Sequence, residues 1–295
     1  HDHDSLNDNA ATGYIAAATA EELNAFCANN IGTAKKQLDA ILAVSTERSI
    51  DNSLDPYNHL TTHLGNARSL AGLYANVHPD RNTRQTAEKC EQDVGNFTTE
   101  LSLNRPLYDA IQAVDVAQAD PLTRRFVEHT LRDFRRAGVD KDDDTRARLQ
   151  KINDELVRLG QDFDKNIRND VRSIRATPEQ LEGLPKDYID AHKPGPDERI
   201  EITTDYPDFI PFRTYAKNAD ARATLYRQYT SRGFPANDRA LHQILALRQE
   251  KAKLLGYATF ADYITEDKMV KSGDAVAKFI ERLAKVSLDR AKKDL

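Results

Sequence analysis

The stretch that decides the fold is Asp143-Asp144-Thr145-Arg146-Ala147-Arg148-Leu149-Gln150-Lys151-Ile152-Asn153-Asp154-Glu155-Leu156-Val157-Arg158-Leu159-Gly160-Gln161-Asp162-Phe163. Leu149, Ile152, Leu156, Leu159 and Phe163 recur at alternating spacings of three and four, the apolar seam of a long helix packed lengthwise on a neighbour. Acidic residues from Asp142 to Asp144 place the favourable sign of charge at its start, and the pattern reaches Asn169. Such a helix needs companions, and the flanks supply them. Thr19-Ala20-Glu21-Glu22 has the capping-box form ahead of Leu23, Phe26, Cys27, Ile31, Ala34, Leu38, Ile41 and Leu42. Asp55-Pro56 reads as an N-cap followed by proline, opening a helix that stops at His78-Pro79. Further helices are expected from about Thr83 to Leu103, Pro106 to Val116, and Pro121 to Ala137 before Gly138.

Beyond Asn169 the period changes. Val171 to Ala176 and Arg199 to Thr203 read as two short strands, separated by a capped helical turn at Thr177-Pro178-Glu179-Gln180 and a loop at Lys193 to Pro196. Helices resume at Asp220 to Arg232, at Asn237 to Leu255 before Gly256, and from Ser272 onward. The last carries Val276, Phe279, Ile280, Leu283 and Val286 and meets no stop signal by Leu295, so the chain reads as cut inside a helix. The fold class is mainly α: an antiparallel helical bundle of long helices with a minor two-strand β insertion. The expected organisation is a flexible terminus at 1–13, a helical bundle at 14–170, short strands and loops at 171–212, and a helical segment at 213–295.

Composition is that of a globular protein: 295 residues, 42 Lys+Arg against 47 Asp+Glu, net charge −5. There is no overall basic field for a phosphate backbone, and the short run Arg132-Asp133-Phe134-Arg135-Arg136 sits where cations suit a helix C-terminus, so no nucleic-acid partner is expected. No apolar run approaches the ~20 residues of a membrane span, and no membrane partner is expected. The chain begins His1-Asp2-His3-Asp4 without Met, which fits a cleaved leader or a trimmed start. Cys27 and Cys90 either bridge in an oxidising compartment or lie as two buried thiols in a reducing one; the buried-thiol reading is preferred.

Among eight histidines only His59 and His63 have metal-ligand spacing on a helix. The residues between them are Leu60-Thr61-Thr62, which lack the glutamate of H-E-x-x-H, and no third ligand is identifiable, so a solvated pair is preferred to zinc. His1 and His3 could take up metal only adventitiously. No G-x-S-x-G, no cysteine nucleophile motif and no glycine-rich phosphate loop is present. No catalytic and no metal-ligating residue is therefore assigned, and substrate-binding residues are left unassigned.

Six blocks carry a resemblance. They are Phe126 to Val139, Arg146 to Leu156, Leu159 to Ile167, Leu181 to Tyr188, Asp205 to Pro211, and Leu247 to Tyr263. In this order they resemble the amino-terminal half of the thimet oligopeptidase family, which includes oligopeptidase A and dipeptidyl carboxypeptidase. The likeness runs from Leu54 to about Leu288 and is weak before residue 50. It implies a nearly all-α, two-lobed peptidase with a deep channel for short peptides. It also implies a zinc ion held by two histidines of H-E-x-x-H and a downstream glutamate. That motif belongs to the family's carboxyl-terminal half. The resemblance thus implies zinc in the family but none bound by this chain, with 213–295 leading into an absent catalytic half and the chain alone inactive. The expected partners are short peptides and that missing half, and the expected compartment is the cytoplasm, with the periplasm open. The rival is a free-standing helical module that binds a peptide or protein without hydrolysis.

Overall fold

The computed structural model describes residues 19–294. The expected flexible terminus at 1–13, with His1 and His3, lies outside the described residues. The fold is mainly α, and the described residues form one sheet, of two strands. They form two compact units, 19–158 with 245–294, and 159–244.

The first unit begins with α1 (Ala20–Ala43), α2 (Asp55–Val77) and α3 (Arg81–Ser102), which pack on one another. The Thr19 hydroxyl accepts from the Glu22 amide while the Glu22 carboxylate accepts from the Thr19 amide, so the expected reciprocal cap is present. Only His78, Pro79 and Asp80 separate α2 from α3, which forces the two to run antiparallel. The start of α2 differs from the sequence reading. A π-helical turn, Ile50–Leu54, runs directly into it, and Ser49 caps that turn through the Asn52 amide. Asp55 is thereby inside the helix, and Pro56 falls in the first turn, where no amide hydrogen is needed.

Ala34, Leu38, Ile41, Leu60, Leu64, Val94 and Phe97 fill the interior, which α4 (Arg105–Gln112) and α5 (Pro121–Ala137) close with Leu107, Ile111, Val127 and Phe134. Cys27 and Cys90 face each other in this core with Cα atoms 6.1 Å apart and are joined in a disulfide, which corrects the preferred buried-thiol reading. Both cysteines are buried as expected. What spacing alone could not show is that α1 and α3 place them opposite each other within bonding range.

The deciding stretch forms α6 (Asp143–Asn169). Leu149, Ile152 and Leu159 are buried, whereas Leu156 and Phe163 are only half-buried. Val157 instead makes a close approach to α3: a Cβ at Gly95 would lie 3.3 Å from both its methyl groups.

In the second unit, β1 (Ser173–Ala176) pairs antiparallel with β2 (Ile200–Thr203), with Ser173 opposite Thr203 and Ala176 opposite Ile200; α7 (Lys186–Ala191) lies between them in sequence. One face of the pair supplies Ala176, Ile200 and Ile202 to a core completed by α8 (Tyr206–Tyr215) and α9 (Ala219–Thr230) through Phe209, Phe212 and Leu225. No helix was expected at α8, which contains Pro207 and Pro211. Pro207 occupies the tolerated first turn, and the bond lost at Pro211 is offset by complete burial of Phe209 and Phe212. At the start of α10 (Ala236–Leu254), buried Asn237 donates to the Phe163 carbonyl and accepts from Asn166 Nδ2, each at 2.9 Å.

From residue 245 the chain belongs again to the first unit. Leu255 joins Leu103 and Leu149 in a small apolar cluster. Arg148 grips Glu250 with two hydrogen bonds of 2.6 and 2.7 Å. Lys251 Nζ reaches Asn153 Oδ1 at 2.7 Å. Next comes α11 (Phe260–Thr265), where the Arg136 guanidinium lies 4.9 Å from the Tyr263 ring centre, donates to the Tyr263 carbonyl and pairs with Glu266. The last helix is α12 (Gly273–Asp294).

Two glycines end helices in the left-handed region, Gly138 at φ 104° after α5 and Gly256 at φ 92° after α10. A Cβ at Gly138 would lie 2.5 Å from Leu149 Cδ1 and 2.9 Å from Leu255 Cδ2, whereas one at Gly256 would meet nothing within 4 Å. Gly256→Ala should therefore cost about 1 to 2 kcal/mol, from backbone strain alone. Gly138→Ala should cost about 2 to 5 kcal/mol, because overpacking adds to the same strain. Urea unfolding of the two variants measures the difference, and equal midpoints would show that the Leu149 and Leu255 contacts yield freely.

Candidate functional site

His59 and His63 stand on α2 as expected, but they do not share a ligand position. His59 is exposed, while His63 Nδ1 lies 2.9 Å from the Oδ1 of buried Asn30 on α1, whose Nδ2 donates to the Phe26 carbonyl. Burial, aided by the nearby His59, lowers the pKa of His63. Among the described residues no group of three or more His, Cys, Asp and Glu is placed to hold a metal ion. The basic run at the end of α5 is spent internally. Arg132 pairs with Asp133, Arg135 donates to the Tyr108 hydroxyl at 3.3 Å, and Arg136 holds the segment around Tyr263.

A connected polar cluster in the second unit is one that the sequence does not reveal. Asp208, in the first turn of α8, accepts from the Thr203 hydroxyl at 2.6 Å and amide at 3.0 Å, both through Oδ2. Its Oδ1 lies 2.9 Å from His192 Nε2, and His192 Nδ1 lies 2.8 Å from the Tyr188 carbonyl. The Tyr188 ring stacks on His192 at 4.1 Å between centres, and its hydroxyl donates to the Asp208 carbonyl. Both imidazole nitrogens therefore face acceptors. The ring has no free nitrogen with which to take a proton from a substrate, and the cluster locks β2, α7 and α8 together. Its members lie up to twenty residues apart on three elements, beyond the reach of a local motif.

A cavity of about 350 Å³ lies in the first unit between α2, α3 and α5. Tyr57, Leu64, Val94, Leu101 and Phe134 form its apolar walls, with Arg68 and Asp133 also in the lining. Burial, with Asp133 adding to it, pushes the Tyr57 hydroxyl up to about 12, so it remains a neutral donor. Arg68 makes no ion pair or hydrogen bond among the described residues. Sequence gave no sign of this site, because Arg68 and Asp133 occupy ordinary polar positions on amphipathic helices.

This helical architecture agrees with the comparisons to known proteins. Residues 29–146 match the Neurolysin/Thimet oligopeptidase N-terminal domain, and residues 212–295 match Peptidase family M3. The chain is 29% identical over 267 residues to a Thimet-like oligopeptidase of Dictyostelium discoideum, covering 86% of this chain and 39% of that protein. It is 26% identical to Saccharolysin of Saccharomyces cerevisiae, over 84% of this chain and 36% of that protein. With Oligopeptidase A of Escherichia coli the identity is 24%, over 88% of this chain and 41% of that protein. These matches support a place in peptidase family M3 and correspond to its amino-terminal portion. It spans about two-fifths of the length of these relatives.

Burial raises the Asp208 pKa, but the hydrogen bonds from Thr203 and the contact with His192 outweigh it and hold the carboxyl below its ordinary value of 3.8. A carboxylate with a depressed folded pKa contributes stability above the unfolded value and loses it as pH falls through the folded one. Asp208→Asn should therefore destabilise the protein at pH 6, and the gap from the parent should narrow as pH drops below 3.8. Unfolding curves at a series of pH values follow that gap; a pH-independent difference would refute the ionic role.

Proposed function

We propose that this chain is the amino-terminal portion of a zinc-dependent oligopeptidase hydrolysing short peptides, and that its helices form one wall of the channel that admits them. The observation that carries the reading is the joint match of 29–146 and 212–295 to one peptidase family, in that family's order. The final helix supports it. No residue of α12 is buried, and Phe279, Ile280, Leu283, Val286 and Leu288 are exposed, Val286 to 71%. An apolar helix face of this kind marks a contact surface, and in this reading the catalytic half covers it. A zinc ion held in that half would supply a bound water of lowered pKa and a Lewis acid for the scissile carbonyl. The contribution of this chain is steric and positional: a rigid helical wall that excludes folded substrates and holds an extended peptide against the other lobe. The Cys27–Cys90 disulfide favours an oxidising compartment such as the periplasm over the cytoplasm.

Two measurements test the proposal. The 1–295 polypeptide should show no chelator-sensitive cleavage of a fluorogenic peptide and no stoichiometric zinc by elemental analysis. A polypeptide extended along the gene to an in-frame H-E-x-x-H should show both. Metal-dependent cleavage by 1–295 itself would defeat the assignment, and a stop codon directly after Leu295 would favour the free-standing module. Separately, the uncovered α12 face should cause concentration-dependent association in sedimentation velocity, or rapid hydrogen exchange across 287–294. A strictly monomeric chain with this helix fully protected would remove the need for a covering half.

A further inference from the structure

We propose that the cavity between α2, α3 and α5 is a binding site for a zwitterionic α-amino acid with a large apolar side chain. The site is independent of the peptidase reading, since every residue invoked lies in the first unit and none is assigned to hydrolysis. Its volume of about 350 Å³ lies in the range of small-ligand pockets. Tyr57 and Phe134, with ring centres 6.1 Å apart, and Leu64, Val94 and Leu101 offer an apolar surface to a side chain.

The polar groups select the ends of the ligand. Arg68 has no partner among the described residues, and a guanidinium matches a carboxylate through two parallel hydrogen bonds. Asp133 receives both of its bonds from Arg132 on Oδ1 and none on Oδ2, leaving an oxygen to accept from an ammonium group. The neutral Tyr57 hydroxyl is a further donor or acceptor with no hydrogen bond among the described residues. Arg68 and Asp133 are both exposed to solvent at the cavity; a hydrocarbon pairs with neither, and a simple fatty acid leaves Asp133 facing an apolar tail. One molecule carrying both charges next to an apolar group answers all three features.

Gly65 is the second indication. It lies in the interior of α2, where glycine is destabilising relative to alanine, and its backbone is not in the left-handed region. A Cβ there would meet nothing within 4 Å. Neither turn geometry nor close packing requires glycine at this position. The consequence of its missing side chain is open space on the cavity wall.

The probe is L-phenylalanine, titrated calorimetrically into the 1–295 polypeptide. Saturable one-site binding is expected. N-acetyl-L-phenylalanine, which lacks the ammonium, and L-phenylalaninamide, which lacks the carboxylate, should each bind at least about tenfold more weakly. Arg68→Gln should weaken binding of the parent ligand by at least about tenfold, as should Asp133→Asn. Gly65→Leu should abolish binding while leaving the thermal midpoint unchanged or higher, because leucine fills the open space and is the better helix former. Absence of saturable binding up to about 10 mM would overturn the proposal, as would equal affinity for the acetylated ligand or undiminished binding by Gly65→Leu.

Discussion

Gly138 ends α5 in a conformation open to glycine, and it does so where Leu149 and Leu255 leave no room for a side chain. Three parts of the sequence meet there: the end of the bundle, the start of α6, and the segment that returns after α10. One residue earlier in the same turn, Ala137 is followed upstream by Arg136, which reaches the Tyr263 carbonyl and ring. Apolar closure by Leu149 and Leu255 and polar closure by Arg136 thus depend on one backbone reversal.

The helical framework was readable because its signals are local. Thr19 with Glu22, Pro121 at the start of α5 and Gly138 after Ala137 mark helix ends through residues at or next to those ends. The two strands were readable from alternation at Ile200 and Ile202. α8 was not, because Pro207 and Pro211 argue against a helix locally, and only the depth to which Phe209 and Phe212 are buried outweighs them. The choice between bridge and thiols at Cys27 and Cys90, and the Asp208 cluster, escaped the sequence for a related reason: each depends on elements whose relative placement no window of sequence contains. Leu156 was misjudged because a strict three-four pattern leaves undecided which neighbour packs where, and Val157 rather than Leu156 meets Gly95.

The chemistry of the described residues is mostly that of a scaffold. His192 has both ring nitrogens committed, His63 is held by Asn30, and the arginines at the end of α5 are paired within the chain. Such commitments stiffen the framework. Arg68 and Tyr57, by contrast, are left without hydrogen-bond partners around a formed cavity.

The first unit is discontinuous in the chain, and this sets an order of events during synthesis. Contacts among α1, α2 and α3 join nearby segments and form early, since short loops close at little entropic cost. Leu103 and Leu149 are joined in their cluster by Leu255, which leaves the ribosome only after all of 159–244. At ordinary elongation rates that interval is on the order of ten seconds. Throughout it the nascent bundle carries an uncapped apolar end, so the folding hazard of this protein lies in the time between two leucines rather than in the strength of either contact.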